Sequence, residues 1–260
     1  MKIGVFDSGL GGLTVVQALT QVIKGAELFY IADTKHAPYG EKSPEQILRY
    51  SLDITNYFLK EYQIDVLIIA CNTATSAAIQ TIREQYPDLI VIGTEPGIKP
   101  AFEQTQTGKV GVLATPATLK GEKYQQLAGT LSAQKEVVLY EQACPGLVEQ
   151  IEKGEIHTDK TREMLLSWLD PMKKNDVDTI VLGCTHYPLV SEVIEHVMER
   201  RLTLIHTGDA IAKRLLSLGE QTGHRNEGAL KISLFSTANI SNEIVHNIIG
   251  REIDAKTINL

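Results

Sequence analysis

The segment Asp65-Val-Leu-Ile-Ile-Ala-Cys71-Asn72-Thr73 indicates the fold class, because Asp178-Thr-Ile-Val-Leu-Gly-Cys184-Thr185-His186 repeats its pattern later in the chain. In each segment an Asp stands six positions before a Cys, a short apolar run lies between them, and polar residues follow. A short apolar run bounded by polar residues is typical of a buried parallel strand, and a covering helix usually follows such a strand. The two segments therefore predict two similar α/β halves in one chain.

The rest of the chain shows the same alternation of short apolar runs with longer amphipathic stretches. Lys2-Ile-Gly-Val-Phe6 and Lys109-Val-Gly-Val-Leu113 form a second matching pair. A helix is predicted after Ser43-Pro44, an N-cap followed by proline at the first helical position, and another over 192–201. The predicted fold is α/β with parallel sheets, in a discontinuous first domain (1–97 and 207–260) and a second domain (98–206). Strands are predicted at 2–6, 28–32, 66–70, 90–93, 109–114, 136–139, 179–183, 202–206 and 230–236.

Composition and charge argue against several classes of protein. The 260 residues carry 25 Lys and Arg against 32 Asp and Glu, a formal charge of −7, which disfavours a nucleic-acid binder. The longest apolar run, 66–71, is far shorter than the roughly 18 residues of a membrane-spanning helix. Three cysteines without a C-x-x-C pair indicate reduced thiols, and the histidine spacings indicate no metal site. Because the N-terminal sequence lacks the apolar core of a secretory signal, a cytoplasmic location is predicted.

Cys71 and Cys184 are the strongest candidates for chemistry. Both are predicted in loops at the carboxyl ends of strands, where an open parallel sheet forms its binding crevice. Each precedes a predicted helix start, whose unpaired N–H groups favour an anion and lower the pKa of a thiol. If the two halves face each other, one thiol lies on each side of a bound molecule, which suits proton transfer at opposite faces of one carbon. The alternative is that each cysteine is a small buried hydrophobe.

A glycine-rich turn, Asp7-Ser-Gly-Leu-Gly-Gly12, follows the first strand and opens a helix, so its N–H groups suit a carboxylate or phosphate. A dinucleotide-binding module is the main alternative, since Asp33 stands 21 residues after Gly12, where a ribose-binding acid is expected. Thr14 in place of the third glycine, and Asp7 beside the pyrophosphate position, argue against a dinucleotide. A purely structural turn is the third interpretation.

Three further features are chemical candidates with structural alternatives. Pro38-Tyr39-Gly40 and Glu95-Pro96-Gly97 each follow a strand and are interpreted as site loops or as ordinary turns. His186 stands two residues after Cys184 and can share its proton. A cysteine hydrolase built on this pair is another alternative, but the adjacency leaves little room for a third orienting group and Cys71 has no role in it. By pattern alone, Glu152 lies on a solvated helix face.

Five motifs follow one another along the chain: Asp7-Ser8-Gly-Leu-Gly-Gly, Pro38-Tyr39-Gly40, Ala70-Cys71-Asn72-Thr73-Ala74, Gly93-Thr94-Glu95-Pro96 and Gly183-Cys184-Thr185-His186-Tyr187-Pro188. Taken in order, they resemble the motifs of bacterial glutamate racemases over nearly the whole chain. The resemblance implies cofactor-independent interconversion of L- and D-glutamate, which supplies D-glutamate for peptidoglycan. It also implies that each chain has two flavodoxin-like halves with the site in the cleft between them, and that the protein is a homodimer. A racemase of aspartate or of a hydantoin is the nearest alternative.

The resemblance also implies a role for each matched residue. Cys71 and Cys184 become the two acid/base thiols, with Asp7 supporting Cys71, and His186 and Glu152 supporting Cys184. Glu149 is the alternative to Glu152, because glycine and polar residues interrupt the apolar run that the family has after its Cys-Pro. The loop 35–37 is assigned no role. The residues implied to hold the substrate are Asp7, Ser8, Tyr39, Gly40, Asn72, Thr73, Thr185 and His186.

Overall fold

The computed structural model describes residues 1–94, 97–134 and 137–260. The chain divides into two compact units, one formed by Met1–Thr94 with Gly208–Leu260 and the other by Glu95–Thr207. Each unit contains one parallel sheet flanked by helices, which confirms the predicted α/β class. The described strands are β1 (Lys2–Asp7), β2 (Glu27–Ala32), β3 (Val66–Ile69), β4 (Ile90–Gly93), β5 (Lys109–Ala114), β6 (Val138–Ala143), β7 (Thr179–Gly183), β8 (Thr203–Ile205), β9 (Lys231–Ser236) and β10 (Ala255–Thr257).

The two sheets share a strand order. The first unit has the order β10-β9-β2-β1-β3-β4, and the second has β6-β5-β7-β8. Without β9 and β10, β1 to β4 correspond one by one to β5 to β8. The repeated sequence segments therefore form corresponding strands, β3 and β7. Strand β3 pairs with β1, and strand β7 pairs with β5.

Helices cover the sheets because every buried strand needs apolar cover on both faces. In the first unit, Phe58 of one helix belongs to the same buried core as Phe6 and Leu67 of the sheet. In the second, Leu113 faces one group of helices while its neighbour Val112 faces the other. Among the described residues, no helix is long and apolar enough to cross a membrane. The described helices are α1 (Leu13–Val22), α2 (Pro44–Tyr62), α3 (Asn72–Gln85), α4 (Ile98–Gln104), α5 (Pro116–Lys120), α6 (Glu122–Gln134), α7 (Leu147–Glu152), α8 (Asp159–Lys174), α9 (Ser191–Met198), α10 (Gly208–Gln221) and α11 (Asn242–Ile249).

Most predicted elements are confirmed, and the differences have local causes. Ser43 caps α2 as predicted, in a capping box with Gln46. The predicted helix 192–201 ends at Met198, because Glu199 has a left-handed φ of 52°. The predicted strand 136–139 is wrong in its bounds: β6 covers Val138–Ala143, and Glu136 lies outside the described residues. Strand β10 was not predicted, because three residues of mixed polarity carry no strand pattern.

Candidate active site

Cys71 lies between β3 and α3 and is the N-cap of that helix. Its Sγ accepts a hydrogen bond from the Ala74 N–H at 3.4 Å, and its thiol donates to Ser8 Oγ at 3.8 Å. The side chain is buried, with 6% of its surface exposed. A thiolate at this position is stabilised by the positive end of the helix.

The turn after β1 lies beside Cys71, since Phe6 pairs with Ile69 and both strands end together. Asp7 is fully buried, and its Oδ1 accepts from the Gly9 N–H at 3.0 Å. At Gly12 a Cβ atom would lie 2.5 Å from the Asp7 Cβ and 2.7 Å from the Tyr30 hydroxyl. The last glycine of this turn is therefore required for close packing around Asp7.

Tyr39 brings the second loop to the same edge of the sheet. It is 1% exposed, and its hydroxyl donates to Asp33 Oδ2 at 2.6 Å. Burial raises the pKa of Tyr39 far above its ordinary value, and the charges of Asp33, Cys71 and Asp7 raise it further. Tyr39 therefore stays protonated and lies within electrostatic reach of Cys71 and Asp7. Its neighbour Gly40 is half-buried.

The first turn of α3 completes the site of this unit. Asn72 and Thr73 are both buried directly after Cys71. Among the described residues, Asn72 Oδ1 has no hydrogen-bond partner. A buried acceptor without a donor costs about 1–3 kcal/mol, so this oxygen indicates a position for a donor group of a ligand.

Cys184 follows β7 in the second unit and is 8% exposed. Its Sγ lies 3.7 Å from His186 Nδ1, and Thr185 Oγ1 lies 3.5 Å from the same nitrogen. The other ring nitrogen, Nε2, lies 2.5 Å from Glu152 Oε1 at the end of α7. Cys184, His186 and Glu152 thus form a continuous hydrogen-bonded chain.

This chain controls the charge of His186. Burial disfavours the imidazolium, but the hydrogen bonds and negative charges of Cys184 and Glu152 outweigh burial and raise the pKa of His186 well above its ordinary value. The resulting imidazolium lies beside Cys184 Sγ. The first helical turn after Cys184 is a 3₁₀ segment, Tyr187–Val190, with α9 beginning only at Ser191. The support for this thiol therefore comes from His186 rather than from a regular helix N-terminus.

Comparison with known proteins identifies the family. A family model described as Asp/Glu/Hydantoin racemase matches residues 3–215. The chain belongs to the Asp/Glu/Hydantoin racemase family. The predicted resemblance, and with it the prediction of an isomerase, is confirmed.

Three relatives illustrate the likeness. The glutamate racemase of Sulfurovum sp. (strain NBC37-1) is 71% identical over 249 residues, covering 96% of this chain and 94% of the relative. Escherichia coli glutamate racemase, solved with L-glutamate and the activator UDP-MurNAc-Ala, is 30% identical with a TM-score of 0.85, covering 100% and 98% of the two chains. Francisella tularensis glutamate racemase, solved with D-glutamate, is 25% identical with a TM-score of 0.84, covering 99% and 96%.

Within this member of the racemase family, two interpretations from sequence pattern need correction. Glu152 does not lie on a solvated face, because it is 20% exposed and contacts His186; Glu149 was the alternative for that position. The adjacency of Cys184 and His186 does leave room for a third orienting group, since Glu152 is that group. A hydrolase still leaves Cys71 without a role, and no relative above carries that name.

The third cysteine differs from the two matched ones. Cys144 is 2% exposed, and its thiol donates to the Gln142 carbonyl at 3.6 Å. Burial, followed by the charge of Cys184, raises the pKa of Cys144 to about 12. Cys144 is therefore held as a neutral thiol at physiological pH.

Some contacts of the site carry no signal in the sequence. Thr94 Oγ1 donates to the Ala70 carbonyl at 2.6 Å and so fixes the chain next to Cys71. Glu95 and Pro96, from the same motif, lie outside the described residues.

Asp33, considered as a ribose-binding acid, instead binds Tyr39, Thr237 and His36 within its own unit. Internal bonding of this kind favours a structural or positioning role over dinucleotide binding.

Proposed function

We propose that this chain interconverts L- and D-glutamate without a cofactor, using Cys71 and Cys184 as the two acid/base thiols. The observation that carries the proposal is the matched position of two buried thiols, each within two residues of the end of the corresponding strand in two sheets with one strand order. The names of the close relatives, and the solved complexes of more distant ones with L- and D-glutamate, support this substrate.

The reaction needs one thiolate and one thiol at the start of each turnover. The thiolate removes the Cα proton from one face of glutamate, and the opposite thiol donates a proton to the other face. The two sulfurs thereby exchange protonation states, so the opposite enantiomer is converted in the reverse direction. Asp7 and Ser8 would support Cys71 in these transfers, and His186 with Glu152 would support Cys184.

The developing negative charge at Cα requires donors that are already oriented, in a site from which water is excluded. The N–H groups at the start of α3 suit the substrate carboxylate. Asn72 Oδ1 suits the ammonium group, because this buried oxygen needs a donor. Ser8, Thr73, Thr185 and the backbone at Tyr39 and Gly40 complete the proposed contacts.

Hydrogen–deuterium exchange at Cα tests the proposal directly. Dialysed protein without pyridoxal phosphate is incubated in D2O with L-glutamate and, separately, with D-glutamate. We expect optical activity to fall from either enantiomer while deuterium enters Cα. A folded sample that produces neither change overturns the proposal, and parallel reactions with aspartate and a hydantoin identify a related substrate.

We also propose that the enzyme acts in the cytoplasm as a homodimer and that its product enters peptidoglycan synthesis. The charge of −7 supports the absence of a nucleic-acid partner. Sedimentation equilibrium tests the dimer, for which a monomer at micromolar concentration would be the contrary result. Deletion of the gene, with rescue by supplied D-glutamate, tests the cell-wall role.

A further inference from the structure

Asp33 is a buried carboxylate that the proposed proton transfers do not use. It follows β2 and is 1% exposed. Its Oδ2 accepts from the Tyr39 hydroxyl at 2.6 Å, and its Oδ1 accepts from the Thr237 hydroxyl at 2.8 Å. Both oxygens lie 3.0 Å from His36 Nδ1. Side chains from three points of the chain therefore converge on one carboxylate.

These contacts connect two loops at one edge of the first sheet. Ala32 pairs with Ser236, so β2 and β9 end side by side. Beyond them, the Lys35 N–H donates to Thr237 Oγ1 at 3.0 Å, and the Ala238 N–H donates to Thr34 Oγ1 at 3.1 Å. The loop that leads to Tyr39 is thus fixed to the loop after β9, with Asp33 at the centre of the junction.

His36 closes the junction on its outer side. Its ring stacks on Tyr50 with centroids 3.9 Å apart and an angle of 11° between the planes. The stacking fixes the orientation of Nδ1 toward Asp33, although the side chain is 30% exposed. The loop 35–37, to which the sequence assigned no role, therefore contributes one of the three donors.

Burying a charge costs folding free energy unless hydrogen-bonded partners surround it. A buried carboxylate such as that of Asp33 therefore needs an explanation. One donor to Asp33 is Tyr39, whose ring lies within electrostatic reach of Cys71 and Asp7. The backbone at Tyr39 and Gly40 is also part of the proposed substrate site. Asp33 therefore holds a segment that belongs to the proposed substrate site.

We propose that Asp33 is a positioning residue for substrate binding: its carboxylate holds the Tyr39 hydroxyl and thereby places the Tyr39–Gly40 backbone against the substrate. The proposal rests on the proposed function, since it takes glutamate as the ligand. Asp33 acts through Tyr39 and does not touch the reacting carbon.

Steady-state kinetics of Asp33→Asn, Tyr39→Phe and the double variant test this role. The expected result is a rise of about tenfold in KM for both enantiomers, the size of effect that losing a hydrogen bond to a charged group produces. The value of kcat should change by no more than about twofold, because the thiols are untouched. The KM of the double variant should be no higher than that of Asp33→Asn alone, because both substitutions remove the same hydrogen bond between Tyr39 and Asp33.

Asp178 provides a matched control in the second unit. Its carboxylate also accepts several hydrogen bonds, from Thr105 Oγ1 at 2.7 Å and from the N–H groups of Gln106 and Thr107 at 2.8 and 2.9 Å. It precedes β7, however, and lies at the end of the strand opposite to Cys184. Asp178→Asn should lower Tm and leave KM unchanged.

The outcomes separate the two proposals. If Asp33→Asn behaves like Asp178→Asn, with a lower Tm and unchanged KM, the positioning role is overturned. If Asp33→Asn fails to fold, Tyr39→Phe decides, because it removes one hydroxyl and keeps the ring. Wild-type protein that neither binds nor exchanges glutamate contradicts the proposed function itself, whereas active wild type with unchanged KM in both variants contradicts only the role of Asp33.

Discussion

Cys71 and Cys184 occupy corresponding positions, yet their neighbours differ in charge. Cys71 donates to the neutral hydroxyl of Ser8, the residue next to Asp7 in the chain. Cys184 lies beside His186, whose pKa is raised by hydrogen bonds and charge that outweigh burial. At the scale of single residues, Cys184 therefore has a cationic imidazole beside its Sγ, whereas the hydroxyl beside the Cys71 Sγ is neutral.

Removal of either matched thiol should abolish catalysis. Cys71→Ser and Cys184→Ser should each lower kcat by about a thousandfold, because a serine hydroxyl is far too weak an acid to replace the thiol. Cys144→Ser is the matched control and should keep near wild-type kcat, since that buried thiol stays neutral. Polarimetry with both enantiomers measures the effect, and substantial racemisation by either of the first two variants would refute the two-thiol scheme.

Removal of the imidazolium should shift the pH profile. His186→Gln keeps a polar side chain but loses the positive charge beside Cys184 Sγ. The acidic limb of the kcat/KM profile should therefore move to higher pH, because the base in the variant has no cation next to it. An unshifted limb in the variant would contradict this role for His186.

At the scale of elements, α1 begins where the turn after β1 packs against Asp7 and Tyr30. The contact requires glycine, because at Gly12 a Cβ atom would lie 2.5 Å from the Asp7 Cβ. Strand β1, the turn and helix α1 can therefore pack together only because residue 12 has no side chain.

Gly12→Ala should displace Asp7 and lower both stability and activity. We expect a loss of more than about 1 kcal/mol in the free energy of unfolding, since overpacking in a buried region typically costs 1–3 kcal/mol. Gly129 in α6 is the matched control, with no atom within 4 Å of its Cβ position. Gly129→Ala should stabilise the protein by up to about 1 kcal/mol, because alanine is the better helix former. Urea unfolding measures the free energy of unfolding of both variants. Equal changes in that free energy would contradict the packing argument for Gly12.

At the scale of the whole molecule, each unit has its own sheet, and each thiol belongs to one unit. The proposed reaction requires one thiol from each unit of the same chain. A mixture of Cys71→Ser and Cys184→Ser chains should therefore stay inactive, even after unfolding and refolding together. Activity approaching a quarter of wild type would instead indicate that a site takes its thiols from two chains.

The sequence by itself determined the α/β class, the repeated halves and the approximate positions of most strands, because these depend on patterns within a few consecutive residues. The apolar run before Cys71 and the Ser43-Pro44 cap are such local signals. The family resemblance directed attention to His186 and Glu152, but their contact joins residues 34 positions apart. The bond of Thr237 to Asp33 spans 204 positions. Only the tertiary structure decided these pairs, because strand order, rather than chain order, sets which loops meet at the edge of a sheet.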